Sequence, residues 1–496
     1  MAVALSRARL GEIGSAVARP RYQPQDLTAG IVHFGLGNFH RAHQAAYLDE
    51  LFDGGSDRDW AIIGTGVREG DAEMGRDLAA QDFLTTVVAQ EAASSQARIT
   101  GSMIGFIPPG DAGAILQHLV DGRTRIVSLT VTEGGYYVDP ATQAFDADHP
   151  DIVADAAGRL GHSRTAFGLI AAALLQRRAA GIAPFTVMSC DNLPGNGHVT
   201  QNAVAGLAEL VSRPDAQWIR EAVAFPNGMV DRITPATSGR ERAALSADFG
   251  IDDARPVYCE DFRQWVLEDR FPAGRPRLEQ VGVQFVADVA PFELMKIRIL
   301  NGGHAAIAYP AGLLDIHFVH EAMEDPQIAR FLSALIDDEI VPLVPPVPGI
   351  DLKAYKRTIE RRFANPKIGD TIRRLCLDGS NRQPKFILPT LRDALRAGSP
   401  IAGLALVSAL WCRYCYGETE SGRSIAPNDP NWGRLTEQAR KARSAPETWL
   451  EMQDVYGDLR DDRRFRDAFS QALQRVWSLG TRSSLDHYLA GRGLMP

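Results

Sequence analysis

A short apolar run that ends in two glycines is the feature that most limits the fold of this chain. Residues 31–37 read Ile-Val-His-Phe-Gly-Leu-Gly, and the apolar-periodic segment 41–52 follows them. The run predicts a buried strand, and the periodicity predicts a helix that Asn38 opens. Strand, Gly-x-Gly and helix usually hold a dinucleotide pyrophosphate, because glycine lets the backbone approach it. His40 replaces the third glycine of the usual pattern, so a tight structural turn stays open as an alternative.

A second apolar run lies at the distance expected for a βαβ unit. Residues 60–67 predict a buried strand, and Glu69 and Asp71 follow it. An acid in this position binds the adenosine ribose of NAD and repels the 2′-phosphate of NADP. NAD is therefore the expected cofactor, although Arg68 and Arg76 leave the preference open, and a structural unit with surface acids is the alternative. The candidate cofactor-binding residues are Gly35, Gly37, Asn38, Phe39, Arg41 and Asp71.

Further strands of the N-terminal half end in polar residues. The runs 125–131 and 185–190 predict buried strands, which end at Glu133 and at Asn192. In doubly wound sheets the ligand lies beyond the carboxyl ends of the strands, so these ends predict one common site. Two more strands are predicted at 83–89 and 97–107, as an antiparallel elaboration. Asp231 and Arg232 fall in a loop, where a structural ion pair explains them as well as a site does.

The composition shifts near Asp288, and nearly everything beyond it has helical periodicity. The predicted fold class is α/β. A Rossmann-like NAD-binding domain with extra strands spans 1–287, and a mostly helical substrate-binding domain spans 288–496. The active site is expected in a cleft between them. The predicted helices of the second domain are 292–314, 327–340, 352–363, 368–377, 388–397, 401–415, 432–442 and 463–478.

The first of these helices carries three polar side chains suited to an alcohol or ketone substrate. At about 100° per residue, His304 lies about 80° and Asn301 about 140° from Lys296 around the helix. A buried lysine loses basicity and can work as a base. An amide N–H can hold an oxygen on which charge develops, and an imidazole can orient a hydroxyl. The alternative is a snorkelling lysine with two surface polar residues.

Length, charge and cysteine content exclude several classes of protein. A chain of 496 residues predicts two domains, and a net charge of -8 without a dominant basic stripe argues against a nucleic-acid partner. No apolar run reaches a membrane-spanning length, so no membrane partner is expected. Five scattered cysteines and no apparent signal peptide predict a cytoplasmic protein. The isolated Cys412-x-x-Cys415 lacks further ligands, so no metal is expected. The absence of a coiled-coil seam favours a monomer.

Six motifs occur together in the order of a known family. They are Gly35-Leu-Gly-Asn-Phe-His-Arg-Ala-His43, Thr132-Glu-Gly-Gly-Tyr136, Ser189-Cys-Asp-Asn-Leu-Pro194, Phe225-Pro-Asn227, Met229-Val-Asp-Arg-Ile-Thr-Pro235 and Lys296-x4-Asn301-x2-His304. From about residue 25 to near the C-terminus, the chain resembles the polyol-specific long-chain dehydrogenase/reductase family, and most closely the members that act on mannitol. The resemblance implies a zinc-independent, NAD-linked interconversion of D-mannitol and D-fructose.

The resemblance also implies a role for each matching residue. Lys296 is the expected general acid/base, Asn192 and Asn301 hold the reacting oxygen, and His304 binds a hydroxyl. The expected substrate-binding residues are Asp231, Glu133, Arg374 and Arg382. Close relatives carry lysine where Arg382 stands, which puts that contact in doubt.

Several rival functions stay open. Fructuronate and tagaturonate reductases share this layout, and Arg374 or Arg382 could bind the carboxylate of a uronate. Oxidation of arabinitol or sorbitol would need only small changes in the pocket. A non-catalytic dinucleotide or sugar sensor is a remote alternative, because it would not need the lysine, both amides and the histidine together. A metal hydrolase built on His40 and His43 is disfavoured, since the glycine turn already explains that segment.

Overall fold

The computed structural model describes residues 2–68, 70–139, 144–161 and 163–491. The chain divides into two compact units, Met1–Ala290 and Pro291–Pro496. The strands of the first unit are β1 (Val3–Ala4), β2 (Ala29–Phe34), β3 (Ala61–Thr65), β4 (Thr85–Gln90), β5 (Ser95–Thr100), β6 (Met103–Ile107), β7 (Ile126–Leu129), β8 (Thr186–Ser189), β9 (Gly228–Asp231), β10 (Ile251–Asp252), β11 (Val257–Glu260), β12 (Gln264–Glu268) and β13 (Gln284–Val286).

Five of these strands form a parallel sheet in the order β6-β3-β2-β7-β8. The chain enters at the central strand, winds outwards to β6, and then returns to the other side through β7 and β8. This is the doubly wound order, in which the direction of winding reverses between β2 and β7. The predicted α/β, Rossmann-like fold of the N-terminal half is therefore confirmed.

The apolar runs form strands because both faces of the sheet are covered. Val32 and Phe34 of β2 belong to one apolar core, which helices α6 (Ala166–Ala179) and α7 (Asn196–Val211) help to build. Ile31, the alternate residue, belongs to a second core. A parallel strand buried on both faces reads as a continuous apolar run rather than an alternating one.

The remaining strands form smaller sheets, and one prediction fails here. The single strand predicted over 97–107 is two strands, because the chain turns at Gly101, whose N–H donates to the Asp49 carboxylate at 2.9 Å. Strand β5 pairs antiparallel with β4 in a sheet of order β11-β4-β5, whereas β6 joins the parallel sheet. A third sheet, β13-β12-β9, carries Asp231 at the end of β9.

The other helices of the first unit lie between its strands. The predicted helix from Asn38 to residue 52 is interrupted at His43, whose φ of −118° and ψ of −91° are not helical. The helices are α1 (Asn38–Ala42), α2 (Gln44–Asp53), α3 (Asp71–Ala80), α4 (Ala112–Val120), α5 (Pro150–Ala157), α6, α7, α8 (Arg213–Ala222) and α9 (Gly239–Phe249), with 3-10 turns at Arg7–Glu12, Pro24–Asp26, Arg58–Trp60, Glu133–Tyr136 and Leu278–Val281.

The second unit consists of helices, which confirms the predicted class of the C-terminal half. Helix α10 (Ala290–Met295) begins at the last residue of the first unit and continues through a π-helical segment, Lys296–Asn301, into α11 (Gly302–Leu313). The others are α12 (Val319–Glu324), α13 (Pro326–Leu335), α14 (Leu352–Phe363), α15 (Ile372–Leu375), α16 (Gly379–Phe386), α17 (Leu388–Ala397), α18 (Ala402–Cys415), α19 (Trp432–Ala442), α20 (Gln453–Tyr456) and α21 (Arg463–Ala490), with a second π segment at Ile336–Ile340 and 3-10 turns at Val341–Leu343, Pro366–Ile368, Pro446–Glu451 and Gly457–Asp461.

Helix α18 is the central element of this unit. It is buried along its length and packs against the long helix α21, which also contacts α13. A buried carboxylate, Glu339, accepts the N–H groups of Gly403 and Leu404 at 2.7 and 2.9 Å. The first turn of α18 thus finds acceptors that its own backbone cannot supply. In the part of the chain that the structure describes, no helix has both the length and the apolar character needed to cross a membrane.

Candidate active site

The glycine turn after β2 has a conformation that only glycine adopts without strain. Gly35 has a φ of +98°, and a Cβ there would lie 2.1 Å from the Thr130 carbonyl oxygen. Its own carbonyl accepts a hydrogen bond from the Thr130 hydroxyl at 2.6 Å. Gly37, in contrast, is exposed, and a Cβ there would meet nothing within 4 Å. One glycine therefore shapes the turn, and the other leaves open space at the start of α1.

A histidine pair takes the place of the third glycine. His40 stacks on His33 of β2, with ring centroids 3.5 Å apart and planes 15° apart. The Nε2 atom of His33 lies 2.7 Å from the Gly35 carbonyl oxygen, and its Nδ1 atom lies 2.7 Å from the Ser128 hydroxyl. Burial lowers the pKa of His33 to about 3 and lowers that of His40 well below its usual value, so both rings are neutral at physiological pH. The stacked rings of His33 and His40 connect β2 with α1 at the position where other dinucleotide-binding chains have a glycine for close packing.

Two of the predicted cofactor residues make structural hydrogen bonds. The buried Arg41 side chain donates to the Leu36 carbonyl at 3.3 Å, to the Asn38 side chain at 2.7 Å and to the Arg255 carbonyl. The Asn38 amide donates to the Pro235 carbonyl at 3.0 Å and to the Thr237 hydroxyl at 3.1 Å. Phe39 stacks on His43 at 4.7 Å. These side chains fix the turn itself, and cofactor binding by them stays a prediction.

Asp71 lies beyond β3, where the sequence places the acid that would bind a ribose. Its Oδ2 atom accepts the N–H groups of Val67 and Arg68 at 2.8 and 3.0 Å. A Cβ on Gly66 would lie 2.5 Å from the Asp71 Cβ, so the loop closes tightly around the carboxylate. Glu69, the neighbouring acid, lies outside the described residues.

The ends of β7 and β8 are joined by Asp191, the residue before Asn192. Its carboxylate accepts the N–H groups of Val131 at 2.9 Å and Thr132 at 3.0 Å. The loop beyond β8 therefore has a fixed start, and the exposed Asn192 follows it directly. Glu133 opens the 3-10 turn after β7, but its side chain lies outside the described part of the structure.

Asp231 is buried at the end of β9, in register with Gln264 of β12. The Arg232 side chain donates to the carbonyl oxygens of Glu260 at 3.0 Å and Ala42 at 2.5 Å, which are backbone contacts.

The π-helical segment corrects the predicted placement of Asn301. In the regular α-helix predicted from the sequence, Asn301 would lie about 140° around the axis from Lys296. In a helix with i→i+5 hydrogen bonds, residues five apart lie about one turn apart on the same face, so Lys296 and Asn301 are closer in direction than predicted. The Lys296 side chain is buried, with 6% of its surface exposed.

His304 follows on α11 and lies among charged residues of the same unit. Its ring stacks on Phe363 of α14, with centroids 4.0 Å apart. Its Nε2 atom is enclosed and has no hydrogen-bond partner within the described residues. Burial lowers the pKa of His304 to about 3, with smaller effects from the charges of Asp370 and Arg374. The imidazole of His304 is therefore neutral at physiological pH.

The two predicted arginines make internal contacts near this histidine. The Arg374 guanidinium binds both carboxylate oxygens of Asp370, and half of its side chain is exposed. Arg382 donates to the carbonyl oxygens of Leu375 at 3.0 Å and Arg374 at 3.4 Å. The charges of Arg374 and Arg382 both act on His304, so both guanidinium groups lie near this histidine. Asp370 and Phe363 were not predicted, because the acid lies in the loop before α15 and the ring lies on α14, and neither shares a regular spacing with His304.

The cysteines and histidines considered as metal ligands lie in packing environments. Cys412 and Cys415 are buried in α18. His43 hydrogen-bonds through Nε2 to the Gln264 carbonyl at 3.1 Å. Across residues 2–491, outside the gaps named above, no three His, Cys, Asp or Glu side chains are grouped as ligands for a metal ion.

Comparison with known proteins covers both units. Residues 29–280 match the mannitol dehydrogenase Rossmann domain, and residues 288–477 match the mannitol dehydrogenase C-terminal domain. The chain is 59% identical to a mannitol 2-dehydrogenase of Cereibacter sphaeroides, over 96% of this chain and 99% of that one. It is 39% identical to a mannitol 2-dehydrogenase of Pyricularia oryzae, over 99% of each chain.

Two solved structures share the fold. One is the ternary complex of Pseudomonas fluorescens mannitol 2-dehydrogenase with NAD and D-mannitol, which is 42% identical with a TM-score of 0.87, over 98% of this chain and 100% of that one. The other is a D-sorbitol dehydrogenase in its substrate-free form, which is 34% identical with a TM-score of 0.91, over 97% and 100%. Both domain matches and the identity along nearly the whole chain lead to one conclusion: the chain belongs to the mannitol dehydrogenase family and is an oxidoreductase.

Proposed function

We propose that this protein catalyses the NAD-dependent, zinc-independent interconversion of D-mannitol and D-fructose. The observation that carries the proposal is the buried Lys296 on a π-helical segment that brings Asn301 towards its face, with His304 on the next turns. The proposal is supported by relatives named mannitol 2-dehydrogenase and by the solved complex of one of them with NAD and D-mannitol.

The glycine turn fits a dinucleotide. Gly35 gives the chain the sharp turn after β2, and the open space at Gly37 would let a pyrophosphate approach the first N–H groups of α1. Asn38, Phe39 and Arg41 would support this turn, and Asp71 would bind the adenosine ribose. NAD, when bound, accepts the hydride that leaves C2 of the polyol.

Lys296 would act as the general acid/base. As a neutral amine it takes the proton of the C2 hydroxyl while C2 is oxidised to a carbonyl, and as an ammonium it returns the proton in the reverse direction. Asn192 and Asn301 would donate amide N–H groups to the reacting oxygen and stabilise the negative charge that develops there. His304, with its neutral ring, would bind the reacting hydroxyl or its neighbour.

The other predicted residues would bind the rest of the polyol. Asp231 would accept substrate hydroxyls, and Glu133 would connect Lys296 with solvent. Arg374 and Arg382 would line the site, but their guanidinium groups already bind Asp370 and backbone carbonyls. A uronate carboxylate would have to compete with Asp370 for Arg374. This contact favours a neutral polyol or ketose over fructuronate or tagaturonate.

The remaining expectations also stay predictions. They are a domain division between residues 287 and 288, a monomeric state, a cytoplasmic location and the lack of a nucleic-acid partner.

The test compares substrates after chelator treatment. NADH oxidation is measured with D-fructose and with D-fructuronate, and NAD reduction with D-mannitol, D-sorbitol and D-arabinitol. We expect fructose and mannitol to be the preferred pair, at rates that the chelator leaves unchanged. Preference for fructuronate would transfer the assignment to the uronate reductases, and preference for sorbitol or arabinitol would change the substrate but keep the mechanism.

Lys296→Ala tests the base, and the chain offers a matched control. We expect Lys296→Ala to lower kcat at least about 100-fold, within the range that a general base contributes. Lys356 is also a buried lysine, but its Nζ atom binds the Ser333 hydroxyl at 2.7 Å and Asp337 at 2.5 Å. Lys356→Met should lower the melting temperature and keep most of the turnover. Full activity in Lys296→Ala would contradict the mechanism.

A further inference from the structure

A closed ring of hydrogen bonds lies at the carboxyl ends of β7 and β8. The buried Tyr136 hydroxyl donates to Asp191 Oδ2 at 2.6 Å and lies 2.6 Å from the Ser189 hydroxyl. The Asp191 N–H donates to the same Ser189 oxygen at 3.2 Å. One assignment of protons satisfies all three groups: Asp191 N–H to Ser189, Ser189 O–H to Tyr136, and Tyr136 O–H to the carboxylate.

The same carboxylate holds a strained residue. Thr132 has a φ of +67° and a ψ of 163°, a backbone conformation that a β-branched residue adopts only as an outlier. Asp191 Oδ1 accepts the Thr132 N–H at 3.0 Å, and Oδ2 accepts the Val131 N–H at 2.9 Å. Strained backbone persists only where the surroundings fix it. Here the fixing group comes from the neighbouring strand.

The other side of the Asn192 loop is also anchored. The buried Asn196 side-chain amide donates to the Asp191 carbonyl at 3.1 Å and to the Gly228 carbonyl at 2.8 Å, and it accepts the Gly228 N–H at 2.9 Å. In the sequence Asn192 therefore lies between Asp191 and Asn196, whose side chains both make hydrogen bonds to backbone groups.

We propose that Asp191 is a positioning residue that sets the geometry of both the Asn192 amide and the Thr132–Glu133 turn. This inference rests on the proposed function, in which Asn192 holds the reacting oxygen and Glu133 lines the site. The carboxylate of Asp191, a residue that is 8% exposed, connects the ends of β7 and β8, the strands that these residues follow. A shift of about 1 Å in a positioned group can cost about 100-fold in rate, so a small change in this carboxylate has a large effect on turnover.

The decisive variant is Asp191→Asn, because it replaces one acceptor oxygen by an NH2 group that faces an N–H or O–H donor. We expect kcat with mannitol to fall about 100-fold while the dissociation constant of NADH, measured by fluorescence, changes little. The matched control is Asp155→Asn. Asp155 is also buried, and its carboxylate accepts the N–H groups of Arg164 at 2.8 Å and Thr165 at 3.1 Å and the Thr165 hydroxyl at 2.7 Å. Because Thr165 is the N-cap residue of α6, the Asp155 variant should lose stability and keep kcat.

A rescue variant separates positioning from stability. Glycine adopts a positive φ freely, so Thr132→Gly removes the strain that Asp191 holds. We expect Asp191→Asn combined with Thr132→Gly to recover about tenfold of the lost kcat. If Asp191→Asn does not fold, Tyr136→Phe removes one donor of the ring and should lower kcat about fivefold. Unchanged kcat in Asp191→Asn, or in Tyr136→Phe where that variant replaces it, would overturn the proposal.

Amide hydrogen exchange gives a readout that does not depend on the substrate. The Val131 and Thr132 amides should exchange faster in Asp191→Asn than in the wild type, and at the wild-type rate in Asp155→Asn. If the wild type oxidises no polyol but this exchange pattern holds, the proposed function fails, while the role of the Asp191 carboxylate in holding Val131 and Thr132 is supported. If the wild type is active and neither exchange nor kcat changes in Asp191→Asn, the inference fails and the proposed function stands.

Discussion

The glycine turn of the first unit and the π-helical segment of the second are both unusual backbone conformations at proposed functional positions. The turn at Gly35 needs a residue without a side chain, since its φ is +98° and the Thr130 carbonyl lies in the way of a Cβ. The segment Lys296–Asn301 needs no special residue, because none of its residues has a positive φ and the residues on either side of it have ordinary helical dihedral angles. The first conformation is therefore visible in the sequence, and the second is not.

Tertiary contacts maintain the π segment. Arg298, in its middle, donates to the Leu343 carbonyl at 2.5 Å and to the Asp393 carboxylate. Gly302 follows, and a Cβ there would lie 3.3 Å from the Phe386 carbonyl oxygen. These contacts hold the helix against neighbouring segments. Each i→i+5 turn of the π segment contains one residue more than an α-helical turn, and this turns Asn301 towards the face of Lys296. The difference is that one residue dictates the conformation of the turn, whereas packing imposes that of the π-helical segment.

The largest effects should come from the two amides, one from each unit. Asn301→Ala and Asn192→Ala should each lower kcat about 10²–10³-fold, because each removes a donor to the developing charge. The measurement is steady-state mannitol oxidation, with NADH affinity as a check on folding.

The double variant sharpens this test. If both amides hold the same oxygen, Asn192→Ala and Asn301→Ala together should cost less than the product of the single effects. Strictly multiplicative losses would mean that the amides act on different atoms. A single variant with wild-type kcat would remove that amide from the mechanism.

A smaller effect should separate the two glycines of the turn. Gly35→Ala should lower the free energy of unfolding by about 1–3 kcal/mol from backbone strain alone, and the contact with the Thr130 carbonyl adds to this. Gly37→Ala places its Cβ in open space, so its unfolding curve in urea should match the wild type.

NADH binding then distinguishes the two roles. Gly37→Ala should weaken NADH binding although the fold is intact, because the methyl group occupies the space where a pyrophosphate would approach. Equal stability of Gly35→Ala and wild type would contradict the strain argument. Unchanged NADH affinity in Gly37→Ala would place the cofactor elsewhere.

The sequence predicts those parts of the molecule that depend on local pattern. Apolar runs located β2, β3, β7 and β8, and helical periodicity gave α14 its observed bounds of Leu352–Phe363. The break at Gly101 was missed because the hydrogen bond that fixes it comes from Asp49, far away in the chain.

The site residues divide in the same way. Lys296, Asn301 and His304 share one helix, so their spacing carried information. Asp370 became visible only in the structure, because its partner Arg374 and the histidine it acts on belong to different helices. The burial of Arg41 was equally hidden, since its partner at residue 255 is distant in sequence.

The last predicted effect is a dependence of stability on pH that comes from His33 in the first unit and His304 in the second. Burial lowers the pKa of both His33 and His304 to about 3, whereas in the unfolded chain a histidine titrates near 6.5. Below pH about 6.5 the unfolded chain therefore binds protons that the folded chain does not, and stability falls as the pH decreases towards 3. Each histidine should contribute a slope of about 1.4 kcal/mol per pH unit in this window.

Urea unfolding at pH 7.5, 6.0 and 5.0 measures this slope in the wild type, in His33→Asn and in His304→Asn. Each variant should be less stable than the wild type at pH 7.5. The slope of its unfolding free energy against pH should be smaller than in the wild type by the contribution of about one proton. The two variants differ in function: His33→Asn loses the contact with the Gly35 carbonyl and should weaken NADH binding, while His304→Asn should raise KM for mannitol. Because neither ring titrates near neutral pH, neither variant should move the pH at which kcat is half-maximal. A moved midpoint in His304→Asn would mean that this imidazole takes up the substrate proton, and Lys296 would lose its role as the base.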